Sequence, residues 1–175
     1  IQTVMERFHS LLDVQKNFDI VYHTMEIGGK QACLYFIDGF TKDEVLLKLM
    51  QTFSTIKESD MPSNAHDFSK KYVTYGETGL ETDEAAIAVQ LLSGLSCLFI
   101  DGYFQCITID CRTYPARGVA EPDKDKVLRG SRDGFVETLI FNTALIRRRI
   151  RDAAFTVEIL QTGESSHTDI AVCYM

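Results

Sequence analysis

The sequence predicts an α/β (α+β) chain built as two small αβ subdomains with hairpin-containing mixed sheets, joined by an extended linker, the second subdomain incomplete. Three observations carry this reading. Alternating apolar runs meet at glycine turns, Ile27-Gly28-Gly29-Lys30 and Asp101-Gly102, which are hairpin signals. Stretches with apolar residues at helical spacing lie between and before those hairpins. A late stretch, FTVEILQTGESSHTDIAVCYM, repeats the pattern of FDIVYHTMEIGGKQACLYFI near the start, with one extra residue in its turn. The expected boundaries are 1–113 for the first subdomain, 114–126 for the linker and 127–175 for a helix plus hairpin of the truncated second one.

In chain order, Val4, Phe8, Leu11 and Leu12 recur at helical spacing, so Ile1 to Gln15 reads as an opening helix. Phe18 to Met25 and Ala32 to Ile37 are the strands of the first hairpin. Asp38-Gly39 breaks the second strand, and Thr41-x-x-Glu44 reads as a capping box for a helix carrying Val45, Leu46, Leu49, Met50, Phe53 and Ile56. Asn64 to Tyr72 reads as a short helix leading to an edge strand near Val73 to Glu77. A second capped helix runs from Thr82 to Ser93-Gly94. Leu95 to Ile100 and Tyr103 to Asp110 then flank Asp101-Gly102, and a two-residue turn there places Cys97 directly across from Cys106. That geometry permits a disulfide, although two small apolar residues under a helix is the better reading. Cys111 to Lys126 holds two of the three prolines with alternating charges and no period, as an extended connector does.

The apolar fraction of 45% with 25% charged residues is that of a chain that buries a core. A net charge of -7 argues against a general binder of nucleic acid or anionic membranes. No stretch approaches the ~20 apolar residues a membrane span needs, and the first residues lack a signal-peptide pattern, so these 175 residues read as a soluble region. Five cysteines, mostly in apolar runs and none in a C-x-x-C pair, suit reduced thiols of an intracellular protein.

One stretch, Val127 to Asp152, combines a helix start, an apolar face and a block of arginines. Gly130, Ser131 and Asp133 place helix onset near Arg132. Phe135, Leu139, Asn142, Thr143, Ile146 and Ile150 then share one face, with Ile140 and Ala144 nearly opposite, so the helix is expected to be covered on both sides. Its six arginines against three acids give a local charge of +3 on a remainder of -10. Arg147, Arg148, Arg149 and Arg151 complement the carbonyl end of the helix, but neighbours about 100° apart cannot share one partner. Solvated ion pairs are the plain reading of this block. The functional reading is that Arg129, Arg132, Arg147, Arg148, Arg149 and Arg151 hold the two subdomains in register and present a basic surface to a partner or to the cytosolic face of the membrane, with Glu137 and Asn142 among the contact candidates. Asn142, polar on an apolar face, is expected to bond neighbouring backbone.

RGSRDGFVETLIFNTALIRRRIRD resembles the signature of the GerA family of bacterial spore germination proteins, which includes germinant-receptor A subunits and sporulation-protein relatives. IDGYFQCITIDCRTYPARGVAEPDKDKV is similar to that family's hairpin and linker, so the resemblance covers nearly the whole chain. It implies a soluble N-terminal region followed by membrane helices, on the cytoplasmic (core) side of the spore inner membrane. It also implies a role in germinant response and ion release, with other germination membrane proteins and the membrane portion of the same polypeptide as partners. The unfinished second unit adds a homo-oligomer or domain swap as a possible association.

Nothing in the residues points to catalysis, a metal or a cofactor. His9, His23, His66 and His167 are scattered without ligand spacing. Gly28-Gly29 and Gly76-x-x-Gly79 lack phosphate-loop spacing, and no Ser or Cys sits in a nucleophile elbow. The expected function is therefore a non-enzymatic regulatory or scaffolding domain; the alternative is a germinant-sensing domain binding a small molecule between its subdomains.

Overall fold

A computed structural model describes residues 1–74, 76–114 and 134–175. Five strands form one antiparallel sheet in the order β1-β2-β4-β5-β3: β1 (Ile20–Ile27), β2 (Lys30–Ile37), β3 (Thr78–Glu81), β4 (Ser96–Ile100) and β5 (Cys106–Ile109). A separate ribbon pairs β6 (Thr156–Thr162) with β7 (Thr168–Tyr174). Every ladder between these strands is antiparallel, so the mixed sheets expected from the sequence are antiparallel ones. The α/β class stands.

Helices cover both faces of the five-stranded sheet, because its central strands are apolar on both sides. On one face α1 (Gln2–Leu12) and α4 (Glu84–Leu92) supply Phe8, Leu12, Ile87 and Leu91, packed on Cys33, Tyr35 and Cys97. On the other, α2 (Asp43–Ser54) and α3 (Ala65–Tyr72) supply Val45, Leu49, Phe53 and Phe68, packed on Ile27, Ala32, Leu34 and Ile107. Phe8 meets Tyr35 and Phe99 edge to face, with ring centroids 5.1 and 5.3 Å apart.

The first hairpin turns at Gly28 and Gly29, with φ of +53° and +76°, the two left-handed residues a tight turn of this kind requires. Three local expectations are corrected. Thr41 does not cap α2: Lys42 is the N-cap residue, without a side-chain cap, and Thr41 forms an isolated bridge with Arg112 instead. The edge strand lies at Thr78–Glu81 rather than near Val73 to Glu77. α4 is capped not by Thr82 but by Asp83, whose carboxylate accepts from the Ala86 amide at 3.0 Å.

The β4–β5 hairpin is also longer-looped than Asp101-Gly102 suggests. Tyr103 turns off the strand to donate from its hydroxyl to the Pro62 carbonyl at 2.6 Å, and it lies beneath the Lys30 ammonium. Its departure shifts the register, so Cys97 pairs with Thr108 and sits diagonal to Cys106. All five cysteines are free. Burial pushes the Cys33 and Cys111 thiols up to about 11 and raises Cys106 and Cys173 as well.

Two outcomes are expected. A thiol reagent at pH 8 should modify half-buried Cys173 first and the other four only on unfolding, with the same five thiols counted with and without reductant. Leu34→Ala should destabilise by about 2–5 kcal/mol in urea unfolding, since Leu34 is fully buried between β1, β4 and α2.

Candidate functional site: the arginine junction

The helix predicted from Arg132 to Ile150 is shorter. α5 runs Leu139–Arg147, with Thr138 at the N-cap and no side-chain cap, and one further turn follows through Arg149 and Ile150 amides bonded to the Ile146 carbonyl. The onset signals at Gly130, Ser131 and Asp133, and the site candidates Arg129 and Arg132, lie outside the described residues. What precedes α5 is held back by Asn142: its side-chain amide accepts from the Val136 N–H and donates to the Val136 carbonyl, both at 2.7 Å. The amide imitates a strand partner and satisfies backbone that a longer helix would have satisfied itself.

The buried side of α5 also differs from the expected face. Thr143, Ala144 and Arg147 are buried, whereas Phe135 is 64% exposed and Phe141 45%. Among the described residues the helix is therefore covered on one side only. Small size and charge neutralisation decide this. A Cβ at Gly39 would lie 3.1 Å from Ile140 Cγ2 and 3.3 Å from the Ala144 Cβ, so α5 rests directly on the Asp38-Gly39 turn. Gly39 itself has φ of +80°.

Arg147 then enters the interior of the molecule with no exposed surface. Its Nε donates to Asp19 Oδ2 at 2.8 Å and Nη2 to Asp19 Oδ1 at 2.9 Å, a bidentate pair with a carboxylate 2% exposed. Nη2 also donates to Asn17 Oδ1 at 2.9 Å, and Nη1 to the Phe155 carbonyl at 2.7 Å. The guanidinium carbon lies 4.7 Å from the Phe155 ring centroid. Desolvating an unpaired guanidinium costs several kcal/mol, so this arginine is tolerable inside only with all of these partners present.

Those partners come from both ends of the chain. Asn17 donates from Nδ2 to the Leu12 carbonyl at the end of α1, at 2.8 Å, while its Oδ1 also accepts from the Val157 amide at 2.9 Å. The Val157 carbonyl accepts from the Phe18 amide at 3.1 Å, and the Asp19 carbonyl from the Asp38 amide at 2.8 Å. The junction thus ties α1, β1, the Gly39 turn, α5 and β6 at one point.

The remaining candidates scatter around it. The Arg148 guanidinium carbon stands 4.3 Å from the Tyr114 ring centroid, and the Tyr114 hydroxyl donates to the Ser93 carbonyl, making a second contact with the first sheet's helices. Arg151 Nε donates to the Arg148 carbonyl, and Arg149 and Glu137 are exposed. Asp19 and Asn17 had no signal in sequence; a buried partner 128 residues from Arg147 has no local periodicity to mark it. Among the described residues no group of His, Cys, Asp and Glu is placed to hold a metal, and no helix is long and apolar enough to cross a membrane.

Arg147→Ala should cost about 3–5 kcal/mol of stability, because Asp19 is left buried and unpaired. Replacing the pair together, Arg147→Met with Asp19→Leu, should cost clearly less than the two single changes added, as read by a double-mutant cycle in urea. Additive losses would show that the pair is not coupled.

The sequence matches the family model described as Bacillus/Clostridium GerA spore germination protein over residues 7–175. It is 33% identical over 171 residues to stage V sporulation protein AF of Bacillus subtilis (strain 168), covering 97% of this chain and 35% of that one. Spore germination protein B1 of the same organism is 28% identical, with 91% and 34% covered. The chain thus spans about a third of the length of these curated relatives. The fold matches the N-terminal domain of the A subunit of the Bacillus megaterium spore germinant receptor GerK3 with a TM-score of 0.73 at 19% identity, covering 97% of this chain and 62% of that one. A family model matched over residues 7–175 leaves one conclusion: this chain belongs to the GerA family of spore germination proteins.

Proposed function

We propose that this chain is a non-enzymatic regulatory or scaffolding region of a spore germination membrane protein, one that supports germinant response and ion release across the spore inner membrane. The Arg147 junction is the observation that carries the reading. A single desolvated guanidinium fixes α5 and the β6–β7 ribbon to the body of the five-stranded sheet, so any force applied to one is transmitted to the other through defined bonds. The site is built for contact: its charges are mutually neutralised and each guanidinium nitrogen donates a hydrogen bond. In this reading residues 1–113 and 127–175 are two subdomains joined by the connector 114–126, and the region lies on the cytoplasmic (core) side of the membrane. Other germination membrane proteins and the membrane portion of the same polypeptide are the partners the family membership favours.

The exposed part of the arginine block, Arg148 and Arg151, is the surface offered to such partners in this reading, and Arg147 sets its position. Spores carrying the full-length protein with Arg148→Gln and Arg151→Gln, accumulated to the normal level, should release ions more slowly after a germinant is added, as followed by conductivity. Unchanged release with unchanged protein level would overturn the role. Small-molecule sensing is the rival reading. A thermal-shift screen against amino acids, sugars and nucleosides should show no saturable shift; a shift that saturates would replace scaffolding by sensing.

A further inference from the structure

The two edges of the five-stranded sheet are built differently. β3, at one side, is four residues long and offers another chain little backbone to pair with. β1, at the other, runs eight residues, IVYHTMEI, in unbroken register with β2, with no proline, no lysine or arginine, and Glu26 as its one acid. It carries none of the proline, lysine or bulge devices that blunt an edge.

The register shows which backbone groups line that edge. The Asp38 amide bonds the Asp19 carbonyl, and bonded pairs alternate along an antiparallel ladder, so Val21, His23, Met25 and Ile27 spend their amides and carbonyls on β2. The residues between them point theirs outward. At the start of this row the Phe18 amide already bonds the Val157 carbonyl of β6, so the row accepts extended backbone, and the Ile20 amide bonds the Asn17 carbonyl. Among the described residues nothing bonds the amides or carbonyls of Tyr22, Thr24 and Glu26. All three residues are exposed.

We propose that this edge pairs antiparallel with the same edge of a second copy, Thr24 against Thr24, joining two five-stranded sheets into one. A twofold axis brings the outward groups together over most of β1 in two registers, one centred on Thr24 and one on His23. Side chains decide between them. Centred on Thr24, threonine meets threonine and each Glu26 stands across from Tyr22 of the other copy, whose hydroxyl is a donor; Tyr174 and Glu158 make that contact on the ribbon. Centred on His23, two imidazoles meet and Glu26 faces Ile20, which has nothing to donate.

Two copies of net charge -7 repel each other, but beyond ~8 Å that repulsion is screened at physiological salt. One strand pair is also small beside the roughly 20–30 residues a side of a tight interface. The pairing is therefore weak between free chains and effective where copies are held close together. It draws on neither Arg148 nor Arg151, so it stands or falls apart from the arginine surface.

Sedimentation equilibrium should show monomer and dimer, with the dimer strengthened severalfold as salt rises from about 0.05 to about 0.5 M. Thr24→Lys lowers the overall negative charge and so eases the general repulsion. It should nonetheless weaken the dimer about tenfold or more, because the introduced ammonium faces its own copy, with the circular dichroism unchanged. In a Cys173→Ser background, Thr24→Cys should give a disulfide-linked dimer under mild oxidation with copper phenanthroline, and His23→Cys should not. A chain that stays monomeric up to about 1 mM overturns the proposal. So does a dimer indifferent to Thr24→Lys, or cross-linking through His23 in place of Thr24. Slow exchange of the Tyr22, Thr24 and Glu26 amides in the full-length protein, diluted until it is a monomer, would make another strand the occupant and equally overturns it.

Discussion

A buried guanidinium sets the terms for the rest of this molecule. Arg147 has no exposed surface, and its burial is possible only because Asp19, Asn17 and the Phe155 carbonyl converge on it from segments 8 to 130 residues away. A pair of this kind adds little net stability relative to an apolar filling, because desolvation offsets most of the Coulombic gain. What it adds is selectivity among arrangements: α5 displaced by one turn would leave a charge in the interior with nothing to meet it. The docking of the late helix and ribbon on the first sheet is therefore nearly all-or-none.

Packing around that point follows from the same constraint. Gly39 lets α5 approach because it carries no side chain where Ile140 and Ala144 arrive. Asn17 serves four neighbours at once, Leu12, Asp13, Arg147 and Val157, which is what lets it sit 1% exposed. With the α5 face spent on this contact, Phe135 and Phe141 remain outward. Strong specification at the junction and an open outer face of α5 are two sides of one architecture.

Desolvation and pairing set the state of the thiols and charges inside the fold. The buried thiols of Cys33 and Cys111 are held protonated by desolvation, and Arg112 and Arg147 are each neutralised by an aspartate within the fold. The Arg112–Asp110 pair beside the Thr41 bridge does locally, on one strand end, what Arg147 and Asp19 do across the chain.

Much was legible in the residues. The Gly28-Gly29 turn, the periodic helices α1, α2 and α4, and the similarity of the early and late hairpins are local properties, because turn geometry and amphipathic spacing act over a few residues. Tertiary structure decided the rest. Tyr103 left its strand for the Pro62 carbonyl and moved Cys97 away from Cys106; Thr41 went to a bridge with Arg112 and not to a cap; and of four clustered arginines only Arg147 turned inward. In each case the deciding partner lies far along the chain, and whether a polar group is buried depends on what meets it there, which no local pattern encodes.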